Sequence, residues 1–298
     1  MRTTAAQASP AGGGPLRIAL VFPPATHPTS PPLGIASLKA YLGAGGLADV
    51  RNFDLNLAYY EQALDWVRDG RLKVGLRKMD QGETARRAPA ARDFFRGRGR
   101  TGREKFFDLA AYNAQADTYT GFAAVVNGLF DSFSRKILLD LPAPPLVERF
   151  FDDLIDPLRS FRPDLVGFSI LFSQQLFFAL ALAKLCKKMG AKTVFGGATF
   201  SVMPDPARLR AGPVPVRAGG EARSLDLAPL MDFLIVGEGE AGLKALADAL
   251  RGGGLQPRGG AGVQPHLGTG LQPHLEIGLQ PHDGRNFQPN GGSGLQPR

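Results

Sequence analysis

The chain has 298 residues, 44% hydrophobic and 21% charged, which suits one large or two modest domains with a true core. Its single cysteine, Cys186, excludes a disulfide framework and any multi-cysteine zinc or iron–sulfur site built from this chain alone. The formal charge of +8 is local: residues 68–105 hold thirteen Lys/Arg against five Asp/Glu, so the rest is neutral on balance, which argues against a nucleic-acid-binding fold.

Residues 1–15 have no apolar stretch and read as a disordered leader, not a secretory signal. "LRIALVFPP" (Leu16–Pro24) reads as a buried strand ended by prolines. "PPLGIASLKAYLGAGG" (Pro31–Gly46) reads as a helix, with proline in its first turn, an apolar stripe of Ile35, Leu38 and Leu42, and glycines at its end. "ADVRNFDLN" predicts a second strand. Residues 57–160 differ in character and read as an insertion: a helical start, a basic glycine-rich mobile loop from "GLRKMDQ" to "GREK", then helices broken at "LPAPP".

The strand–helix rhythm returns with "PDLVGFSIL", the helix "SQQLFFALALAKLCKKMG" and the strand "AKTVF", which ends at Gly196–Gly197. "MDFLIVGEGE" holds the last strand and "AGLKALADALRGGG" the last helix. Leu165–Ala183 is apolar, but Ser173, Gln174 and Gln175 interrupt it, so a buried strand and helix explain it better than a membrane span. No membrane association and a cytoplasmic location are expected. Residues 252–298 repeat every eight residues, with Pro257, Pro265, Pro273, Pro281, Pro289 and Pro297 in step, and read as a disordered tail.

Continuous apolar strands separated by helices predict a parallel sheet covered on both faces, with ligands beyond the strands' carboxyl ends. Several motifs fall on that edge. "GEGEAG" (Gly237–Gly242) matches a dinucleotide fingerprint, but Glu238 and Glu240 would repel a pyrophosphate, and no strand bearing a ribose-binding acid follows. Glu240 is equally explained as a carboxylate near a helix N-terminus. "PPATHPTSPP" is too rich in proline for a flavin-phosphate loop. His27 suits a metal ligand, a polar contact or an exposed residue. Ser173 suits a helix cap or a ligand contact, and Gly196–Gly197 a tight turn or a close ligand approach.

Taken together, "RIALVFPP", "PPLGIASLKAYL", "VRNFDLN", "PDLVGFSILFSQQ", "KTVFGGATFSVMPD" and "DFLIVGEGEAGLKALADAL" resemble the N-terminal cobalamin-binding domain of cobalamin-dependent radical SAM enzymes. The resemblance covers about residues 16–56 and 160–251. It implies a doubly wound, flavodoxin-like or Rossmann-like α/β fold: a five-stranded parallel sheet with an inserted helical region. It implies a corrinoid across the strand ends. Gly196, Gly197, Ala198 and Thr199 would approach its nucleotide tail, where a β-carbon would hold a bulky ligand away. Ser169, Phe172, Ser173 and Gln174 would line the site, Pro23 and Pro24 would face the corrin ring, and Gly237, Glu238 and Gly239 would close the far side.

Two departures bear on the chemistry. The D-x-H-x-x-G motif that supplies a cobalt-ligating histidine is absent around His27. The C-x-x-x-C-x-x-C motif is also absent, so no iron–sulfur cluster and no autonomous radical SAM activity are expected of this chain. The expectation is a stand-alone or truncated cobalamin (cobalt corrinoid) domain of methyltransferase type, paired with a separate radical SAM subunit or a peptide substrate. Two readings of other classes stay open: a nucleotide-binding α/β enzyme using Glu238 or Glu240 as acid/base, and a non-catalytic interaction module engaging an acidic partner through Arg86–Lys105.

Overall fold

A computed structural model describes residues 15–27, 32–43, 48–76, 79–96, 107–218 and 220–252. The expected leader before residue 15, the tail from residue 253, Thr29 and Ser30 of the first loop, and the basic residues at 97–106 lie outside the described residues.

Strand β1 (Leu16–Phe22) is an interior strand, and its alternation shows why. Ile18, Leu20 and Phe22 enter one apolar cluster, and Ala19 and Val21 enter another, so both of its faces are covered. Helix α1 (Leu33–Gly43) returns the chain to β2 (Ala48–Asp54), which pairs parallel to β1 with Ile18 opposite Val50. The chain then crosses to the other side of β1, where β3 (Leu165–Ser169) pairs parallel with it.

Among the described residues that crossover carries α2 (Leu55–Arg68), α3 (Gln81–Phe95), α4 (Leu109–Leu138) and α5 (Pro145–Phe161). A single helix, α6 (Leu176–Lys188), joins β3 to β4 (Lys192–Gly196). Short helices α7 (Ala198–Val202) and α8 (Arg208–Ala211) follow, then an antiparallel hairpin of β5 (Val214–Ala218) and β6 (Glu221–Leu225). Strand β7 (Phe233–Leu234) completes the main sheet beside β4, and α9 (Gly239–Arg251) closes the fold.

The sheet is all-parallel, in the order β2-β1-β3-β4-β7. This is the doubly wound, flavodoxin-like arrangement expected from the sequence. The direction of winding reverses between β1 and β3, and the loops after these strands part there. Leu243, Leu246 and Ala247 of α9 and Ile35 and Leu42 of α1 pack on one face, and α2–α6 pack on the other. The helical insertion therefore thickens the face opposite α1 and α9.

The basic segment departs from expectation. Residues 81–95 of it are not a loop but helix α3, opened by Asp80, whose carboxylate accepts the Glu83 N–H at 2.7 Å. Thr84, Ala88, Pro89 and Ala91 make a small, buried face. Arg92 is drawn inward by Glu61 of α2 at 3.2 Å and by Asp93 at 3.0 Å, and Arg96 meets Glu61 at 2.7 Å. Part of the excess positive charge is thus neutralised inside the insertion. Small apolar side chains among charged ones do not raise mean hydropathy, so composition concealed this helix.

Candidate functional site

At the carboxyl edge of the sheet, on the α1/α9 face, lies a cleft of about 230 Å³. Its floor is apolar: Leu20 of β1, Val194 of β4, and Ile35 and Leu38 of α1. Its edges are short of side chains, with Gly34, Gly196, Gly197, Gly237 and Gly239 all contributing. A β-carbon at Gly34 would lie 3.4 Å from the Ser169 hydroxyl, and one at Gly239 would lie 3.1 Å from Leu38. Helix α9 therefore packs on α1 more closely than a β-carbon allows, and α1 meets the end of β3 in ordinary contact.

Of the two readings of Gly197, a tight turn or a close ligand approach, the turn alone suffices to require glycine. Its φ is +110°, and a β-carbon would stand 2.5 Å from the Ile170 carbonyl oxygen and 2.7 Å from the Ile170 nitrogen. The collision is with the protein's own backbone, before any ligand is considered. The turn is pinned there, because the Thr199 N–H donates to the Ile170 carbonyl at 3.2 Å and the Ile170 N–H to the Gly196 carbonyl at 2.8 Å. Gly196 is less constrained, with Ile235 as its nearest neighbour at 3.4 Å.

Of the residues expected at the site, Ser169, Gly196, Gly197, Ala198, Gly237 and Gly239 line the cleft. Glu238 is exposed and lies outside the lining, whereas Glu240 is part of it. Thr199 is buried in the α7 turn. Pro23 and Pro24 are buried beneath the loop after β1 and offer no exposed surface to a ring, and His27 of the same loop is exposed. Phe172, Ser173 and Gln174 are exposed beyond β3. Ser173 begins a 3₁₀ turn whose N-cap position is Phe172, so the serine is not its cap.

Gln175, which sequence reasoning passed over, organises both loops. It is fully buried. Its Oε1 accepts the N–H groups of Leu171 at 2.9 Å and Phe172 at 3.1 Å, and its Nε2 donates to the Pro23 carbonyl at 2.7 Å. The loops flanking the reversal point are therefore tied together by one amide. Nearby, the Thr26 N–H donates to Oδ1 of buried Asn56, fastening the β1 loop to α2.

Four apolar side chains stand exposed on this edge of the sheet, outside the lining of the cleft. Leu33 opens α1, Phe172 follows β3, Val202 ends α7 and Val236 follows β7. All four are large, exposed and set after strands that end at this edge. Elsewhere the chemistry is quiet. Among the described residues no three His, Cys, Asp or Glu side chains gather to hold a bare metal ion, and no helix is long and apolar enough to cross a membrane. Burial pushes the Cys186 thiol up to about 12, as befits a small apolar residue inside α6.

A doubly wound parallel sheet with a glycine-edged cleft at its reversal point defines a cofactor-binding class of α/β domain. Residues 113–223 match the family model of the B12 binding domain, which supports a cobalamin-binding domain in this chain. The matched stretch holds β3, β4 and the turn at Gly196–Thr199. It excludes β1, α1 and α9, which supply the rest of the floor and lining. No curated protein and no solved structure matches the chain.

Proposed function

We propose that this domain holds cobalamin with the nucleotide tail in the cleft and the corrin ring outside it. The size of the cleft supports this division. At about 230 Å³ it falls just below the ~300–1,000 Å³ range of ordinary ligand pockets, so it accepts one flat arm of a large cofactor and not the whole. Its apolar floor suits an aromatic base, and its glycine edges let that base lie close to the main chain.

The ring would then rest on that edge of the sheet, against Phe172, Leu33, Val202 and Val236, four apolar side chains otherwise left to water. Ser169 would face the tail. Gln175 would hold the loops beneath the ring in place, and Pro23 and Pro24 would act from below as buttresses. When bound, the cofactor supplies a cobalt centre able to accept and release a methyl group. With no cluster of metal ligands in the described residues, cobalt would be held by its own macrocycle.

The resemblance to radical SAM enzymes extends the proposal: the domain would act as a methyl carrier for a radical SAM partner, which would supply the three-cysteine motif that these 298 residues do not contain. An adjacent open reading frame encoding C-x-x-x-C-x-x-C would support that pairing, and its absence would count against a split enzyme.

The cleft itself carries the reading, and a direct experiment tests it. Purified protein is mixed with hydroxocobalamin and desalted. A corrin absorption band that travels with the protein is the expected result, and complete loss of colour overturns the proposal.

A further inference from the structure

Eighteen residues line the cleft, and one of them is ionisable: Glu240. It lies in the first turn of α9, half-buried, with Oε1 accepting the Ser37 hydroxyl of α1 at 2.8 Å. No ion pair neutralises it among the described residues. A carboxylate accepts hydrogen bonds and cannot donate them. Set at the solvent side of an apolar slot, it favours a guest that brings an N–H donor and penalises one whose edge carries only acceptors or methyl groups.

We propose that Glu240 determines which heteroaromatic base the cleft accepts, selecting a base with an amino N–H edge, such as an aminopurine, over dimethylbenzimidazole. The inference rests on the corrinoid reading for the identity of the ligand, but not for the chemistry of the cleft. Leu20, Leu38 and Val194 give the ring plane an apolar surface, and Ser37 fixes one carboxylate oxygen and leaves the other available. Ser169 is the only other side chain with a polar group in the lining, and its hydroxyl discriminates less because it both donates and accepts.

The test compares four probes by calorimetry on the full chain and on Glu240→Gln: cobamides bearing adenine or dimethylbenzimidazole, and the two free bases. Glutamine keeps the volume and an acceptor for Ser37. The expected result is an adenine-cobamide affinity about tenfold above that of the dimethylbenzimidazole form, lost in Glu240→Gln. If both cobamides bind equally, or the preference survives in Glu240→Gln, the selectivity proposal is overturned and the corrinoid reading stands. If the cobamides fail but free adenine binds in a Glu240-dependent way, the selectivity stands and the corrinoid reading falls. If nothing binds, both fall.

Discussion

The side-chain amide of Gln175 donates to the carbonyl of Pro23 at 2.7 Å, joining residues 152 positions apart at the point where the sheet reverses its winding. The same side chain accepts two N–H groups from Leu171 and Phe172. Replacing it with leucine keeps the bulk but leaves one carbonyl and two donors without their partner. Gln175→Leu is expected to lower stability by about 1–3 kcal/mol. Gln174→Leu, on the exposed neighbour, is expected to stay within about 0.5 kcal/mol. Urea unfolding of both variants checks this, and equal losses would remove Gln175 from its role.

The glycines of the cleft separate into two kinds. Gly237 has a φ of +88° and open space where a β-carbon would stand, so Gly237→Ala carries backbone strain alone, about 1 kcal/mol. Gly197 adds a collision with the Ile170 backbone, and Gly197→Ala is expected to lose about 3 kcal/mol or more. Denaturant midpoints measured side by side decide it. Similar losses would mean that the turn relaxes away from Ile170. Gly197 is therefore a poor probe of ligand binding, because any change there acts first on the fold.

Phe172 is the opposite case. It is 49% exposed and supports little of the core. Phe172→Ala is expected to change stability by less than about 0.5 kcal/mol. If the ring lies on that edge of the sheet, the same change removes apolar contact worth about 1–2 kcal/mol of binding. Hydroxocobalamin titration would then show roughly a fivefold to thirtyfold loss of affinity. An unchanged titration would move the ring elsewhere.

What the sequence disclosed follows from periodicity. The strand at Leu16–Phe22, the stripe Ile35–Leu38–Leu42 and the glycine pair at Gly196 announce themselves through runs and spacing, and they place the edge where the cleft lies. Helix α3 was hidden because its buried face is alanine and threonine among arginines. Gln175 was hidden by its twin: two adjacent glutamines look alike until the turn after β3 points one inward. Which of the two readings of Gly197 holds was beyond any local pattern, because it depends on Ile170, which register brings alongside. The β5–β6 hairpin was masked by the glycine, proline and arginine that compose it.

Cys186 offers a test in alkaline solution. Burial holds its thiol at about 12, above an ordinary value of 9.0, so the native state keeps the proton after the unfolded chain has lost it. Below about pH 9 both states are protonated and the contribution to stability is complete. As pH rises from there toward about 12, stability falls by about 1.4 kcal/mol per pH unit from this group. Tyr60, raised by burial from 10.0 to about 12, adds a loss of the same sign that begins one unit later. Tyr59 and Tyr119, also raised by burial, add to that loss, so it is the difference from Cys186→Ala between pH 9 and 10 that isolates the thiol. Unfolding free energies of the protein and of Cys186→Ala, measured across that interval, should diverge in slope, with the alanine variant flatter. Parallel curves would mean that the thiol titrates normally in the native state. In that case native protein would also react readily with an aromatic disulfide reagent near pH 8, where a buried thiol should react only on unfolding.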